Sequence, residues 1–254
     1  MNFNELHNQS EPLFIGNVWD VASAKAAENA MFLALGTSSA AMAAMLGYDD
    51  GEKMSFAEVH YVVKRIIANT NLPLSVDLEA GYSRNVSEIV DHIQQLFDLG
   101  VVGINIEDSL IGPKGRELVP ADQFSTSLKL ITKALKQKSI NIFLNVRTDT
   151  FLLNHPNAIK EAERRIELYE QAGVDGVFVP GITAENDIKA IVAMTQLPIN
   201  VMCMPELPNF KKLAKLGVKR ISMGNFAFDN LYKAHQQTLG QIVIDQSFDS
   251  IFKC

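Results

Sequence analysis

The sequence predicts an α/β fold in which eight parallel strands close into a (β/α)8, or TIM, barrel. Short runs rich in Val, Ile, Leu and Phe recur about every 25 to 35 residues, and each precedes a segment with helical periodicity. These runs are apolar on both faces, as in a parallel sheet covered by helices. Eight such units in about 225 residues favour a closed barrel over a doubly wound sheet, which usually has fewer strands.

The predicted elements follow one another without a long interruption. In chain order the strands are FIGNV (14–18), MFLALG (31–36), LSVDLE (74–79), GINIE (103–107), NIFLNVR (141–147), GVFVP (176–180), PINVMC (198–203) and RISMG (220–224). The helices between them are predicted to start near Asp20, Ser55, Asn85, Ala121, Asn157, Thr183 and Asn209, several at residue types that cap free backbone amides.

Three helices are predicted to end in a matching phrase. FDLGVVGINIE, YEQAGVDGVFV and AKLGVKRISM each place a glycine where a left-handed C-cap belongs, directly before a strand. We therefore expect a single domain over 1–254, with the barrel at about 12–224 and a C-terminal helical segment at about 225–254. That segment contains more helix than one barrel needs, so we expect it to pack on a neighbouring subunit of a homo-oligomer.

Composition and charge limit the partners of the chain. It has 254 residues, 47% of them hydrophobic, and a net charge of −6 with scattered lysines and arginines, which excludes the basic surface of a nucleic-acid or anionic-lipid binder. The first ten residues lack a basic start and an apolar run, so we expect a cytoplasmic protein. Cys203 and Cys254 have neither disulfide nor metal-ligand spacing and are interpreted as plain thiols.

Polar residues follow the predicted strands at their C-terminal ends. In a (β/α)8 barrel the active site forms at these ends and in the loops after them. The residues in these positions are Trp19, Asp20, Thr37, Ser38, Ser39, Asp77, Glu79, Asn105, Glu107, Asp108, Asn145, Arg147, Asp149 and Asn200.

Three acids are predicted to converge there. Asp77 and Glu79 are two residues apart in a strand, so both are expected on one face, and Glu107 ends the neighbouring strand. Like charges this close need compensation, either from a hard cation or from Arg147. Because only oxygen ligands are present, the expected cation is Mg²⁺ or Mn²⁺. The alternative is that these acids form salt bridges at the barrel rim.

Other residues at the strand ends also allow two interpretations. Arg147 is placed to bind a substrate carboxylate or a developing oxyanion, or else to form an internal salt bridge with Asp149 or Glu107. The GTSSAA turn at 36–41 either cradles an anion or is a packing turn. Trp19 either lines the pocket or packs in the core.

These phrases together resemble the isocitrate lyase and phosphoenolpyruvate mutase superfamily, in order from about Asn17 to Gly224. The resemblance is carried by NVWDVASAKAAE, LALGTSSAAMAAMLGYDDGE, VDLEAGYS, GINIEDS, LNVRTDTF and PINVM. It implies a Mg²⁺-binding barrel, a 2-oxo acid chelated by the metal, and cleavage of a C–C or P–C bond. It also implies a C-terminal helix exchanged between subunits and a dimer-of-dimers assembly.

The resemblance assigns roles to individual residues. Asp77 resembles the main metal carboxylate of D-x-D-x-G-Y-G, in which Glu79 replaces the second Asp and Ser83 the last Gly, and Glu107 resembles the metal-linked Glu of G-x-x-x-E-D. The implied metal ligands are thus Asp77, Glu79 and Glu107, and the implied catalytic residues are Arg147, Lys114 and Glu107. The residues assigned to substrate binding are Trp19, Ser38, Ser39, Asp50, Arg147 and Asn200 from the resemblance, and Asn105 from its position at a strand end.

The segment after Glu107 departs from the family. Its lyases carry a K-[KR]-C-G-H motif whose cysteine is the acid/base of cleavage, whereas this chain reads DSLIGPKGRELVP and has neither cysteine nor histidine there. Lys114 matches the leading lysine, with a spacing one residue longer. The Lys-Thr-Asn-Ser of the mutases is missing too. A Cys-dependent isocitrate or methylisocitrate lyase is therefore not expected.

Three hypotheses remain at this point. The first is a Mg²⁺-dependent lyase, decarboxylase or hydrolase that acts on a small 2-oxo or dicarboxylic acid through a metal-stabilised enolate. The second is a phosphonopyruvate or carboxyphosphonoenolpyruvate phosphonomutase, and the third is a barrel without turnover that serves as a binding protein. In the enzyme hypotheses the loop at 109–119 closes over the substrate to exclude water.

Overall fold

Eight parallel strands close into a barrel, as the sequence predicts. The computed structural model describes residues 3–252. The strands are β1 (Leu13–Phe14), β2 (Gly16–Val18), β3 (Leu35–Thr37), β4 (Leu74–Asp77), β5 (Gly103–Glu107), β6 (Ser109–Gly112), β7 (Gly115–Leu118), β8 (Phe143–Arg147), β9 (Gly176–Phe178), β10 (Ile199–Met202) and β11 (Arg220–Ser222). β1 and β2 are two parts of one barrel strand. β1 pairs with β11 and β2 with β3, and this pairing closes the circle.

Helices alternate with these strands and cover the barrel. They are α1 (Phe3–Leu6), α2 (Val21–Asn29), α3 (Ser39–Leu46), α4 (Phe56–Ile67), α5 (Val86–Asp98), α6 (Ala121–Gln137), α7 (Ala158–Gln171), α8 (Glu185–Ala193), α9 (Phe210–Leu216), α10 (Phe226–Asp245) and α11 (Asp249–Phe252). None of the helices within residues 3–252 combines the length and apolar character that crossing a membrane requires.

Most predicted helix starts are confirmed by their caps. The side chains of Asp20, Ser55, Asn85 and Asn209 each accept a hydrogen bond from a backbone amide in the first turn of the helix that follows. Such caps satisfy amides that have no partner inside the helix. The predicted start near Thr183 lies slightly early, because α8 begins at Glu185.

Two structures near the strand ends are additional to the predicted elements. The segment after β3 forms the short helix α3, which Ser38 caps by accepting a hydrogen bond from the amide of Ala41. The segment after β5 is not an irregular loop but the antiparallel hairpin β6–β7, whose turn uses Gly115 at a φ of +108°. That backbone conformation is one that glycine adopts without steric cost.

A third additional element, the N-terminal helix α1, packs against the start of β8. Phe3 and Leu6 of α1 join a buried cluster with Phe143 of β8. The His7 ring stacks on the Phe143 ring at a centroid distance of 4.2 Å, and its Nδ1 donates to the Phe3 carbonyl at 2.9 Å. Its Nε2 has no hydrogen-bond partner among the described residues. Burial of this ring, with the charge of Arg220 as a smaller cause, lowers the pKa of His7 to about 3.

The C-terminal segment is helical, as predicted, and leaves apolar side chains exposed. Leu239, Val243 and Ile244 of α10 are exposed. Phe248, just before α11, and Phe252, in α11, are exposed as well. Only Phe228 of α10 is buried in this chain, against Trp19. Exchange of this segment between subunits stays a prediction.

The buried, neutral His7 predicts a pH-dependent stability. Its pKa is about 3 in the folded state against 6.5 for an exposed histidine, so below pH 6.5 the unfolded chain binds a proton that the folded chain does not. We expect wild type to lose about 1.4 kcal/mol of unfolding free energy per pH unit below 6.5, relative to His7→Phe. Urea unfolding of both proteins at pH 7.5, 6 and 5 measures this difference, and a constant difference would contradict it.

Candidate active site

A cavity of about 250 Å³ opens at the C-terminal ends of the strands. This is the end at which the sequence places its polar residues. Six of the residues predicted to bind substrate or metal line it together with Arg116. These six are Ser38, Ser39, Asp50, Asp77, Asn105 and Arg147.

Asp77, at the end of β4, is held by the segment that begins α3. Its Oδ2 accepts a hydrogen bond from Ser39 Oγ at 2.7 Å and lies 3.4 Å from the Ser39 amide. Its own amide donates to Thr37 Oγ1 at 2.8 Å. The turn at 36–41 thus binds a carboxylate of the protein itself. Asp77 Oδ1 has no hydrogen-bond partner within the described part of the chain, so it is available to a ligand in the cavity.

Glu107, at the end of β5, lies between two guanidinium groups. Its Oε1 is hydrogen-bonded to Arg116 Nη1, and its Oε2 is 3.1 Å from Arg147 Nη1. The Glu107 side chain is only 4% exposed. Burial raises the pKa of Glu107 and the two arginines oppose that shift. The rim salt bridge that the sequence left as an alternative is therefore present at Glu107.

Arg147 is buried among acids at the end of β8. Its Nε is 2.6 Å from Asp149 Oδ1 and its Nη2 is 3.2 Å from Asp149 Oδ2, while Nη1 faces Glu107. Burial lowers the pKa of Arg147, but the charges of Glu107 and Asp149 outweigh this effect and raise it above the ordinary value. Arg147 thus forms the internal salt bridges foreseen as the alternative, and it also lines the cavity.

The β6–β7 hairpin carries Arg116 into the site. Arg116 Nη2 donates to Asp50 Oδ2 at 2.9 Å, and Nη1 donates to Ser109 Oγ at 3.0 Å as well as to Glu107. Lys114, to which the family resemblance assigned a catalytic role, is exposed at the hairpin turn and does not line the cavity. Lys114 lies in the turn between β6 and β7, whereas Arg116 lies within β7.

Glu79 does not line the cavity, and its convergence with Asp77 and Glu107 on a metal stays a prediction. β4 ends at Asp77, and Glu79 has a φ of +49°, which breaks the alternation of the strand. Its carboxylate accepts hydrogen bonds from the Glu52 amide at 2.7 Å and the Tyr82 hydroxyl at 2.6 Å. Within residues 3–252 no group of three His, Cys, Asp or Glu side chains has the arrangement of a metal site.

The side-chain amides of Asn105, Asn145 and Asn200 form a hydrogen-bonded layer next to Arg220. Asn145 Nδ2 donates to Asn105 Oδ1 at 2.9 Å and lies 3.2 Å from Asn200 Oδ1. Asn200, predicted to bind substrate, is buried and donates to the carbonyl of Val201 at 2.7 Å instead. Burial lowers the pKa of Arg220 to about 9, and Asp77 opposes this shift, so Arg220 is charged at neutral pH.

Two further sequence predictions fall outside the cavity. Trp19 packs edge-on against Phe228 and lines a separate, mostly apolar groove of about 450 Å³ beside α2 and α10, so its assignment to the substrate pocket is not supported. Asn17 of β2, two residues earlier in the chain, lines the cavity in its place. Cys203 is an exposed free thiol that does not line the cavity. Cys254 lies outside the described residues.

The fold is an α/β barrel, and Arg116 and Arg147 line its cavity at the strand ends. The chain matches the model of the phosphoenolpyruvate phosphomutase family over residues 3–243. It therefore belongs to the phosphoenolpyruvate mutase family, within a superfamily of lyase- and mutase-type enzymes that includes the isocitrate lyases. The resemblance seen in the sequence is confirmed.

Individual relatives show the same membership. The chain is 33% identical to an uncharacterized protein of Mycobacterium tuberculosis over 236 residues, which are 92% of this chain and 86% of that protein. It is 31% identical to an oxaloacetate decarboxylase of Bradyrhizobium sp. (strain BTAi1) over 214 residues, 81% of this chain and 70% of that protein. A Burkholderia cenocepacia structure provisionally described as a phosphonomutase has a TM-score of 0.87 and 34% identity, and covers 94% of this chain and 97% of its own.

The wall of the site depends on a buried ion pair behind it. Asp108 accepts from Arg165 Nη1 at 2.8 Å, from the Tyr169 hydroxyl at 2.7 Å and from the Asp149 amide at 3.0 Å. We expect Asp108→Asn to lower the unfolding free energy by about 3 kcal/mol, because it leaves the Arg165 charge buried without its main partner.

The neighbouring arginine provides a matched control for this prediction. Arg164 pairs with Asp122 on the surface, where both side chains are more than half exposed. Asp122→Asn should therefore change stability by less than about 0.5 kcal/mol. Chemical denaturation of the three proteins measures both effects, and similar losses in the two variants would show that the Asp108 pair does not support the fold.

Proposed function

We propose that this protein is a Mg²⁺-dependent enzyme that acts on a small 2-oxo or dicarboxylic acid through a metal-stabilised enolate. The observation that carries the proposal is the convergence of Arg116, Arg147 and Asp77 on one cavity of about 250 Å³ at the strand ends. Two guanidinium groups suit a substrate with carboxylate groups. The identity to an oxaloacetate decarboxylase supports the same substrate class.

The residues present are compatible with a divalent cation. The cavity offers the free Oδ1 of Asp77 and the carboxylate of Asp50, with Glu107 behind Arg116, and hard cations such as Mg²⁺ and Mn²⁺ prefer these oxygen ligands. We propose that Asp77 and Glu107 hold the cation, with one Glu107 oxygen exchanging its arginine partner for the metal, and that Glu79 contributes through a bridging water. When bound, Mg²⁺ would supply Lewis-acid stabilisation of negative charge on the substrate.

The side chains of the protein would orient the substrate. Arg147 and Ser38 line the cavity, and their guanidinium and hydroxyl would donate to carboxylate oxygens, whereas the Ser39 hydroxyl already donates to Asp77. In a decarboxylation the electron pair of the broken C–C bond moves onto the 2-oxo group, carbon dioxide leaves and the carbon is later protonated. The hairpin, which Arg116 joins to Glu107 and Asp50, would exclude water from that step.

A second reaction class is favoured by a specific comparison. The Burkholderia cenocepacia structure at 34% identity is provisionally described as a phosphonomutase. Migration of a phosphoryl group between carbon and oxygen of a 2-oxo acid would use the same cation and arginines. The hairpin sequence SLIGPKGREL differs from the Lys-Thr-Asn-Ser of the mutases, so we place C–C bond chemistry first. A barrel without turnover is the remaining alternative.

A substrate panel tests the proposal. We expect the purified protein to consume oxaloacetate or another 2-oxo acid from a panel with phosphonopyruvate, methylisocitrate and N-succinyl amino acids, only when Mg²⁺ is present. Asp77→Ala should reduce that turnover and the affinity for Mn²⁺ at least about 100-fold, because it removes Oδ1, the proposed ligand atom that no described residue engages. Kinetics and Mn²⁺ titration followed by electron paramagnetic resonance measure the two losses.

Glu79→Gln provides the comparison for this variant. A carboxylate that acts through water should matter less, so the loss of Mn²⁺ affinity should be about tenfold or smaller. Circular dichroism checks that both variants are folded. Unchanged Mn²⁺ binding in Asp77→Ala would remove the metal site, and turnover of the whole panel without metal would refute the Mg²⁺ dependence.

The hairpin predicts that Arg116 matters more than Lys114. Arg116→Ala should lower kcat/KM by about tenfold or more, because it removes a charge that lines the cavity and joins the hairpin to Asp50. Lys114→Ala should have a smaller effect, since Lys114 is exposed at the turn.

Cys203→Ser is the control for the hairpin variants. Its thiol lies outside the cavity, so turnover should stay near wild type, and methylisocitrate should not be cleaved. A larger loss in Lys114→Ala than in Arg116→Ala would refute the role given to Arg116.

The exposed apolar face of the C-terminal segment predicts a homo-oligomer. Val243, Ile244 and Phe248 are each more than 60% exposed in the single chain. Apolar side chains clustered in this way are typical of a subunit interface. Light scattering at micromolar concentration should give a dimer or tetramer, and Val243→Glu with Ile244→Glu should reduce the mass. A monomeric wild type would contradict the prediction.

A further inference from the structure

Within residues 3–252, no carboxylate forms a salt bridge with the buried charge of Arg220. It extends from β11 into the barrel interior and is 2% exposed. Its Nη2 is 3.3 Å from Asn105 Oδ1 and 3.5 Å from Ser75 Oγ, whereas Nε and Nη1 have no hydrogen-bond partner among residues 3–252. Burying an unpaired guanidinium lowers the stability of the fold, so stability alone does not explain an arginine at this position.

The contacts of Arg220 determine which way the Asn105 amide points. A guanidinium can only donate hydrogen bonds, so the Asn105 atom that faces it must be the oxygen. Asn145 reaches the same oxygen at 2.9 Å and must therefore present its Nδ2.

A second anchor gives the same orientation from the other end. Asn200 faces the carbonyls of Val201 at 2.7 Å and Arg220 at 3.3 Å, which only accept, so the Asn200 atom there is Nδ2. Its oxygen then receives the Nδ2 of Asn145 at 3.2 Å. Both anchors therefore agree on the direction of all three amides.

Because Asn105 Oδ1 accepts hydrogen bonds from Arg220 and Asn145, its Nδ2 is the amide atom available to the cavity. Asn105 lines the cavity and pairs in register with Asp77 on one side and Asn145 on the other. In the described part of the chain, Asn105 Nδ2 donates to no protein atom. An oriented N–H donor in the floor of a pocket recognises an acceptor, most strongly an anionic oxygen.

We propose that Arg220 and Asn145 are positioning residues that fix Asn105 with its Nδ2 toward the cavity, where it donates to an anionic oxygen of the substrate. This inference rests on the proposed function, because it assumes that the cavity binds an oxo acid or its enolate. It adds a floor donor to the arginines of the rim, and it makes position 105 a determinant of specificity. A ligand with an oxygen at the floor is favoured over one with a methyl or amino group there.

The test uses oxalate, a planar dianion that resembles the enolate of a 2-oxo acid. Binding is measured by calorimetry in the presence of Mg²⁺ for wild type, Asn105→Leu, Arg220→Met and the double variant. Asn105→Leu, which keeps the side-chain shape but lacks the donor, should weaken oxalate binding about tenfold or more. Arg220→Met should weaken it about fivefold, and Arg220→Lys, which still donates to Asn105 Oδ1, should restore most of this loss.

The double variant separates positioning from a direct effect of the charge. If Arg220 acts through Asn105, Arg220→Met should cause no further loss in the Asn105→Leu protein. An equal loss in both backgrounds would show that the charge acts on the ligand directly and would overturn the positioning role. Thermal unfolding of each variant is measured alongside, and a loss of affinity that simply follows a loss of stability would count against the proposal.

The outcome for wild type distinguishes the two proposals. If wild type binds oxalate and Asn105→Leu binds it equally well, the floor donor is refuted and the proposed function stands. If wild type binds no oxalate with Mg²⁺ and consumes no 2-oxo acid, the proposed function fails and the inference that depends on it fails too.

Discussion

Compensation of buried negative charge at the strand ends is the constraint on which the rest of this structure depends. Glu107, Asp108 and Asp149 are each less than 5% exposed, and unpaired carboxylates in such surroundings are costly. Arg147 serves two of them from β8, and Arg165 of α7 serves the third. The hairpin is attached to the barrel by the same requirement, since Arg116 completes the charge around Glu107. The geometry of the site thus follows from an electrostatic balance that several elements share.

The periodic parts of the fold were predictable because they depend on local patterns. β5 has the predicted bounds, and Asp20, Ser55, Asn85 and Asn209 cap the helices that their residue types indicate. β3 starts at Leu35 rather than residue 31, because Met31 adopts a φ of +65° where the chain leaves α2. The hairpin after β5 was not predicted, since short polar strands with a Pro-Lys turn lack the apolar alternation that marks a strand.

The candidate site was predictable in composition but not in orientation. Asp77, Asn105 and Arg147 line one cavity because parallel strands end at the same edge of a barrel. Strand alternation could not locate Glu79, whose left-handed backbone redirects its carboxylate to Tyr82. Trp19 packs on Phe228, a contact across more than 200 positions of the chain that no local pattern contains. The sequence predicts that Arg220 lies in a strand, but no local pattern shows that its side chain is buried in the barrel interior.

The split first strand has a consequence for how the protein is made. The barrel closes only where β1 pairs with β11, which joins Leu13 to Arg220. During synthesis the ribosome therefore releases most of the chain before the partner of its first strand exists, and contacts this distant in sequence form slowly. Until then β1 has a free edge, and the His7 ring also waits for Phe143. The hydrogen bonds and ring contact that hold the N-terminal segment in the barrel therefore depend on residues made much later in synthesis.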